Sequence, residues 1–104
     1  MRPVIQRQAA QADIDAALSW YSREGGEQVA LDFIDALEAT LRHVAEYPGT
    51  GSARFAHELG LPGLRHWRLA GFPHAIFYVE LDGRIEIWRV LHLGSDIPAW
   101  MSES

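Results

Sequence analysis

The stretch Phe72–Trp100, FPHAIFYVELDGRIEIWRVLHLGSDIPAW, decides the fold. Two alternating apolar runs flank Asp82-Gly83, a strong hairpin signal because a type I′ turn needs positive φ at both central residues. Alternation on the first strand sets Ala75, Phe77, Val79 and Leu81 on one face and Ile76, Tyr78 and Glu80 on the other. On the second strand it groups Ile85, Ile87, Arg89 and Leu91 against Glu86, Trp88, Val90 and His92. Both faces are mostly apolar, so the hairpin belongs in the middle of a sheet. Arg89 and His92 emerge near the end of this buried strand, and a functional reading has to account for them.

Upstream, Val4–Gln8 alternates like a short first strand. Ile14, Ala17, Leu18 and Tyr21 then fall at helical spacing within a helix over about 9–23, with Asp13 and Asp15 near its start, where acidic groups suit the helix dipole. Gly25-Gly26 breaks it. A longer helix over about 27–47 carries the stripe Ala30, Phe33, Ile34, Leu37, Leu41 and Val44, and Pro48-Gly49 stops it. The short glycine connection makes these helices an antiparallel hairpin lying across one face of the sheet. Residues 50–63 read as an ordered loop with a single turn near Phe55–Leu59, and Leu64–Ala70 as a further strand. The C-terminal Asp96-Ile97-Pro98-Ala99-Trp100 reads as a turn that folds Trp100 back on the body. The fold class is α+β: an antiparallel sheet, order β-α-α-β-β-β, with an N-terminal helical hairpin on one face, in a single domain spanning 1–104.

The 104 residues suffice for one core without staples, and no cysteine is present, which excludes disulfides and thiolate chemistry. No apolar run approaches the ~20 residues that cross a bilayer, and the N-terminus lacks a signal-peptide core. The net charge is −5, with nine arginines and no lysine. A phosphate-tracking protein gains affinity from many cations, so this chain is poorly equipped for direct nucleic-acid binding.

The ordered set of segments resembles the ParE/RelE superfamily of toxins from bacterial type II toxin–antitoxin (plasmid stabilisation) modules. It comprises Ala12-Asp13-Ile14, GGEQVALDFIDALEATLRHVAEYPGTG, LPGLRHWRLAGFPHAIFYV, and IEIWRVLH followed by Asp96-Ile97-Pro98. The resemblance covers nearly the whole chain, and Arg65 and the run Arg89-Val90-Leu91-His92 carry most of it. These features are more similar to the ParE branch than to the RelE branch. Two segments depart from the pattern. Leu93-Gly94-Ser95 stands where an Arg-rich pair is usual, and Pro73-His74-Ala75 lacks the central-strand arginine of RNA-cleaving relatives.

Arg65, Arg89 and His92 are the candidate catalytic residues. Cleavage through a 2′-hydroxyl needs a base, an acid and a cation, and a histidine suits the first two roles because an unperturbed imidazole titrates near ~6.5. The plainer reading, which the chain favours, pairs Arg89 with Glu86, Glu80 or Asp96 and gives His92 a backbone hydrogen bond; on that reading there is no catalytic residue. His66, His74 and His92 could converge across neighbouring strands, but their spacing fits no zinc pattern, so no metal is expected, and no cofactor. Trp67, Tyr78 and Trp88 suit core and partner surface better than a base-stacking platform. Arg65, Trp67, Tyr78, Trp88, Arg89, His92 and Trp100 are the candidate partner contacts.

The resemblance implies a non-enzymatic inhibitor of DNA gyrase in the cytoplasm. It also implies a cognate antitoxin with a DNA-binding N-terminal domain and an amphipathic C-terminal segment. A ribosome-dependent mRNA endonuclease of RelE type, or a degenerate toxin that only binds antitoxin, are the alternatives.

Overall fold

A computed structural model describes residues 2–102. The chain runs β1 (Val4–Gln6), α1 (Gln8–Glu46), a single 3-10 turn (Pro48–Thr50), α2 (Arg54–Leu59), β2 (Leu64–Arg68), β3 (His74–Leu81), β4 (Arg84–His92) and α3 (Ile97–Ser102). The four strands lie in the order β1-β4-β3-β2, so the hairpin is central as its two apolar faces require. The sheet is mixed where the sequence suggested an antiparallel one: β2, β3 and β4 are antiparallel, but β1 runs parallel to β4. A strand linked to its neighbour through helices can enter on either side; here β1 takes the free edge of β4, and α1 carries the chain back over the sheet.

α1 is two helical arms separated at Gly26, whose φ of 85° and ψ of 178° are not helical. The break folds the arms together. Tyr21 and Phe33 are twelve positions apart, about 18 Å along a straight helix, yet their ring centroids are 5.2 Å apart. The arms bury Ala10, Ile14, Ala17, Phe33, Leu37 and Val44 against Ile76, Tyr78, Ile85, Ile87 and Val90 of the sheet and Leu69 just past β2. The second sheet face holds Leu64, Ala75, Phe77, Val79 and Leu91, covered in part by Phe55 of α2 and by Ile97 and Met101 of α3. The terminal segment is thus a helix that docks through Ile97 and Met101 and leaves Trp100 exposed.

Two details of the hairpin differ from simple alternation. Leu81 pairs with Arg84 across Asp82-Gly83, as a two-residue loop requires. However, only Gly83 has positive φ (70°), so the turn is not of type I′; Asp82 keeps the negative φ that an L-residue prefers. In addition, Phe77 pairs with Arg89 but Tyr78 with Ile87, so Trp88 is the extra residue of a β-bulge. Beyond the bulge the faces of β4 exchange: Val90, not Leu91, joins Ile85 and Ile87 beneath the helices.

Candidate functional site

The bulge at Trp88 falls where β4 loses its outer neighbour. β1 reaches only as far as Ile87, and the next backbone group on that edge, the Arg7 N–H, donates to the Ile87 carbonyl at 2.9 Å. Past this point the edge is taken by a side chain of α1. Oδ2 of Asp13 accepts the Val90 N–H at 3.0 Å and Nε of Arg89 at 2.7 Å, while Oδ1 accepts Nη2 of Arg89 at 2.7 Å. Nη1 of Arg89 donates to the Trp100 carbonyl at 2.6 Å, and its guanidinium lies 5.6 Å from the Trp100 ring. The Arg89 and Asp13 side chains are 6% and 12% exposed, so the two-pronged ion pair is nearly sealed from water. The sequence suggested Glu86, Glu80 or Asp96 as partners for Arg89. Instead Glu86 takes Arg7, Glu80 takes Arg2, and Asp96 accepts the Ala99 N–H at the start of α3. Asp13 lies beyond the first turn of α1, which has no acidic residue, and it serves Arg89 and Val90 there.

Beside this pair the α1 arm and the end of the β3–β4 hairpin form a groove. Two adjoining depressions, of about 440 and 260 Å³, share Ala17, His74 and His92. Trp20, Tyr21 and Pro73 wall the larger one, and Asp13, Ser95 and Trp100 the smaller one. His74 and His92 are cross-strand partners. The His74 carbonyl accepts from Leu69 on the β2 side, and the flanking Pro73 carbonyl accepts the Leu93 N–H, so the two histidines form a non-hydrogen-bonded pair, in which side chains approach most closely. Their ring centroids are 5.4 Å apart, edge to face. Nδ1 of His74 is 3.4 Å from the Tyr21 hydroxyl, and Nδ1 of His92 accepts the Gly94 N–H at 2.8 Å, the backbone bond that the plainer reading gave it. Burial pulls the pKa of His74 down to about 4; the neighbouring His92 adds to the shift and Asp13 opposes it. His74 is therefore neutral at physiological pH. Burial also raises the Tyr21 phenol.

The seven candidate contacts fall in three places. Arg89, His92 and Trp100 meet at the groove. Arg65, Trp67 and Tyr78 lie around the turn that follows α1. Nη1 of Arg65 donates to the Gly51 carbonyl at 2.7 Å, the Tyr78 hydroxyl donates to the Pro48 carbonyl at 2.7 Å, and Trp67 stacks on His43 at 4.2 Å. A Cβ at Gly51 would stand 2.2 Å from the Tyr78 hydroxyl, so the phenol fills the space that this glycine leaves. Tyr78 is fully buried and belongs to the core, where the sequence had suggested a contact residue; its face of β3 lies under the helices. Trp88 is at the β1 edge, donating to Glu86 at 3.0 Å beneath the Arg7 guanidinium, which lies 4.0 Å from its ring. His66 packs between Phe55 and Phe77, in the cluster on the second sheet face, apart from His74 and His92. Among the described residues no three His, Cys, Asp or Glu groups converge to hold a metal.

Asp13, Trp20, Tyr21 and His74 complete the groove without having been singled out as contacts. The signal for Asp13 was its place in Ala12-Asp13-Ile14, and for His74 its place opposite His92 in the hairpin register. Trp20 and Tyr21 gave none beyond amphipathic helix spacing.

The groove carries a tryptophan at each end and an uncharged imidazole within it, and Arg89 beside it is already engaged. The fold and the sequence have clear relatives. A family model described as "ParE toxin of type II toxin-antitoxin system, parDE" matches residues 4–97. Toxin ParE1 of Caulobacter vibrioides is 33% identical over 92 residues, covering 88% of this chain and 90% of that protein. A solved chain of the "Chromosomal ParDE TA system from P. aeruginosa" has the same fold, with a TM-score of 0.74 at 21% identity, covering 88% of this chain and 96% of that one. The chain belongs to the ParE toxin family of type II toxin–antitoxin systems. Among the described residues no helix is long and apolar enough to cross a membrane.

Proposed function

We propose that this ParE-family toxin acts in the cytoplasm by binding DNA gyrase through its protein surface, without catalysing a reaction, and that a cognate antitoxin neutralises it. The observation that carries this reading is the state of Arg89. A ribonuclease needs a cation free to meet a phosphorane beside an acid and a base. Here Arg89 is bound by Asp13 and by the Trp100 carbonyl, and His74 is held uncharged. The other candidate cation, Arg65, holds the Gly51 carbonyl and is not beside the histidine pair in the groove. The net charge of −5 also repels a phosphate-dense target such as the ribosomal A site. A protein target asks only for a shaped, partly apolar surface. Trp20 at 52% exposed and Trp100 at 42% offer one beside His92.

The test is pulse expression without antitoxin, following supercoiling by purified gyrase and the 5′ ends of cellular mRNAs. Loss of supercoiling with intact mRNA is the expected result. Codon-positioned mRNA cuts with normal gyrase would overturn the reading in favour of a RelE-type endonuclease. An effect on neither would leave a degenerate toxin that only binds antitoxin.

A further inference from the structure

We infer that Asp13 and Arg89 form a positioning pair for the C-terminal helix, holding Trp100 at the rim of the groove, and that Arg89 itself does not touch the partner. The inference rests on the proposed gyrase reading for the identity of that partner.

Three observations converge on it. First, the guanidinium joins three separate pieces of the chain: it belongs to a residue of β4, one edge of it is held by both carboxylate oxygens of Asp13 of α1, and it donates at 2.6 Å to a backbone carbonyl of α3. Second, α3 is only six residues long, Ile97–Ser102, and a helix so short does not hold itself in water. Its side-chain anchors, Ile97 and Met101, fix it over the second sheet face. The Arg89 bond adds a third anchor, at the residue whose ring lines the groove. Third, Asp13 accepts the Val90 N–H as well, so the carboxylate fixes the backbone of β4 and the arginine in one arrangement. A planar fork suits this geometry: two donors meet a carboxylate while a third reaches a carbonyl. A lysine ammonium keeps the charge beside Asp13 but has no rigid fork to span both acceptors.

Arg89→Lys is therefore the informative variant, because it retains a cation next to Asp13 and so keeps the fold. Asp13→Asn is the second variant, removing the charge from the other side. Both are made in the full chain labelled with 5-fluorotryptophan, the Trp100 resonance being assigned by Trp100→Phe. In each variant the fluorine resonance of Trp100 is expected to move towards that of free fluorotryptophan and to narrow, while those of Trp67 and Trp88 stay in place. Inhibition of purified gyrase is expected to weaken about tenfold or more in Arg89→Lys and in Trp100→Ala. The double variant should be no weaker than the worse single one, since both act through the same element. An unmoved Trp100 resonance in Arg89→Lys overturns the inference. So does full inhibition with a released Trp100, and so does lost inhibition with Trp100 in place, which would make Arg89 a direct contact. If the unaltered protein does not inhibit gyrase, the gyrase reading falls, and the fluorine spectra still decide whether the pair holds α3.

Discussion

His74 shows how far one residue's environment departs from its type. An imidazole ordinarily titrates near ~6.5, but packing against Tyr21, Phe33 and His92 moves this one to about 4. The unfolded chain therefore binds a proton that the folded chain refuses. The stability that this neutral form contributes is whole above about pH 6.5 and is lost as pH falls towards 4. His66, shifted the same way by burial and by Arg54, adds to the trend. Urea midpoints should accordingly fall between pH 6.5 and 5, above the range where free carboxylates begin to titrate. His74→Gln should flatten that segment of the profile while leaving part of the slope, because His66 remains. None of this was readable from the string. The sequence shows a histidine before an apolar run; only its burial against the helical arms, with His92 alongside, creates the shift. Arg89 is the complementary case. Its position near the end of a buried strand was legible and implied a paired charge, but the partner came from 76 positions away, in a helix read for its apolar stripe.

At the scale of elements, the helical hairpin was legible because Gly25-Gly26 interrupts two apolar stripes, and the structure makes the reason specific. The φ of 85° and ψ of 178° at Gly26 lie in a region that only glycine enters readily. A Cβ there would meet nothing within 4 Å, so substitution costs backbone strain alone. Gly26→Ala should lower unfolding free energy by about 1–3 kcal/mol. Asn should not rescue it, since ψ is wrong for the left-handed helical region. By contrast Gly60, at φ 63° and ψ 35°, lies within that region, and Gly60→Asn should lose less than ~1 kcal/mol. Urea titration of the three variants checks both halves. The bulge at Trp88 marks what alternation could not reveal. Period-two reading has no signal for an inserted residue when both faces of a strand are apolar, as Val90 and Leu91 are, so the exchange of faces was invisible until the register was known.

For the whole molecule, the chain order of the elements, helix placement and the central hairpin followed from pattern, while the place and direction of β1 in the sheet did not, because a three-residue strand carries no mark of its partner. The finished domain leaves Ile5, Trp20, Leu31, Tyr47, Leu81 and Trp100 exposed. An amphipathic antitoxin segment lying in the groove should cover Trp20 and Trp100 within an interface of more than ~1,000 Å². Acrylamide quenching of single-tryptophan variants should then drop several-fold at Trp20 and Trp100 on complex formation. Unchanged quenching at both would place the antitoxin elsewhere. The parallel pairing of β1 with β4 also gives the molecule a schedule. Val4 finds its partner at Ile85, about 80 residues later in the chain. At ~5–20 residues per second of synthesis, that is roughly 4–16 seconds in which the first strand has no neighbour and the helical arms have no complete sheet to lie on. His92 and Trp100 leave the ribosome later still. On a growing chain, the groove is the last part to exist.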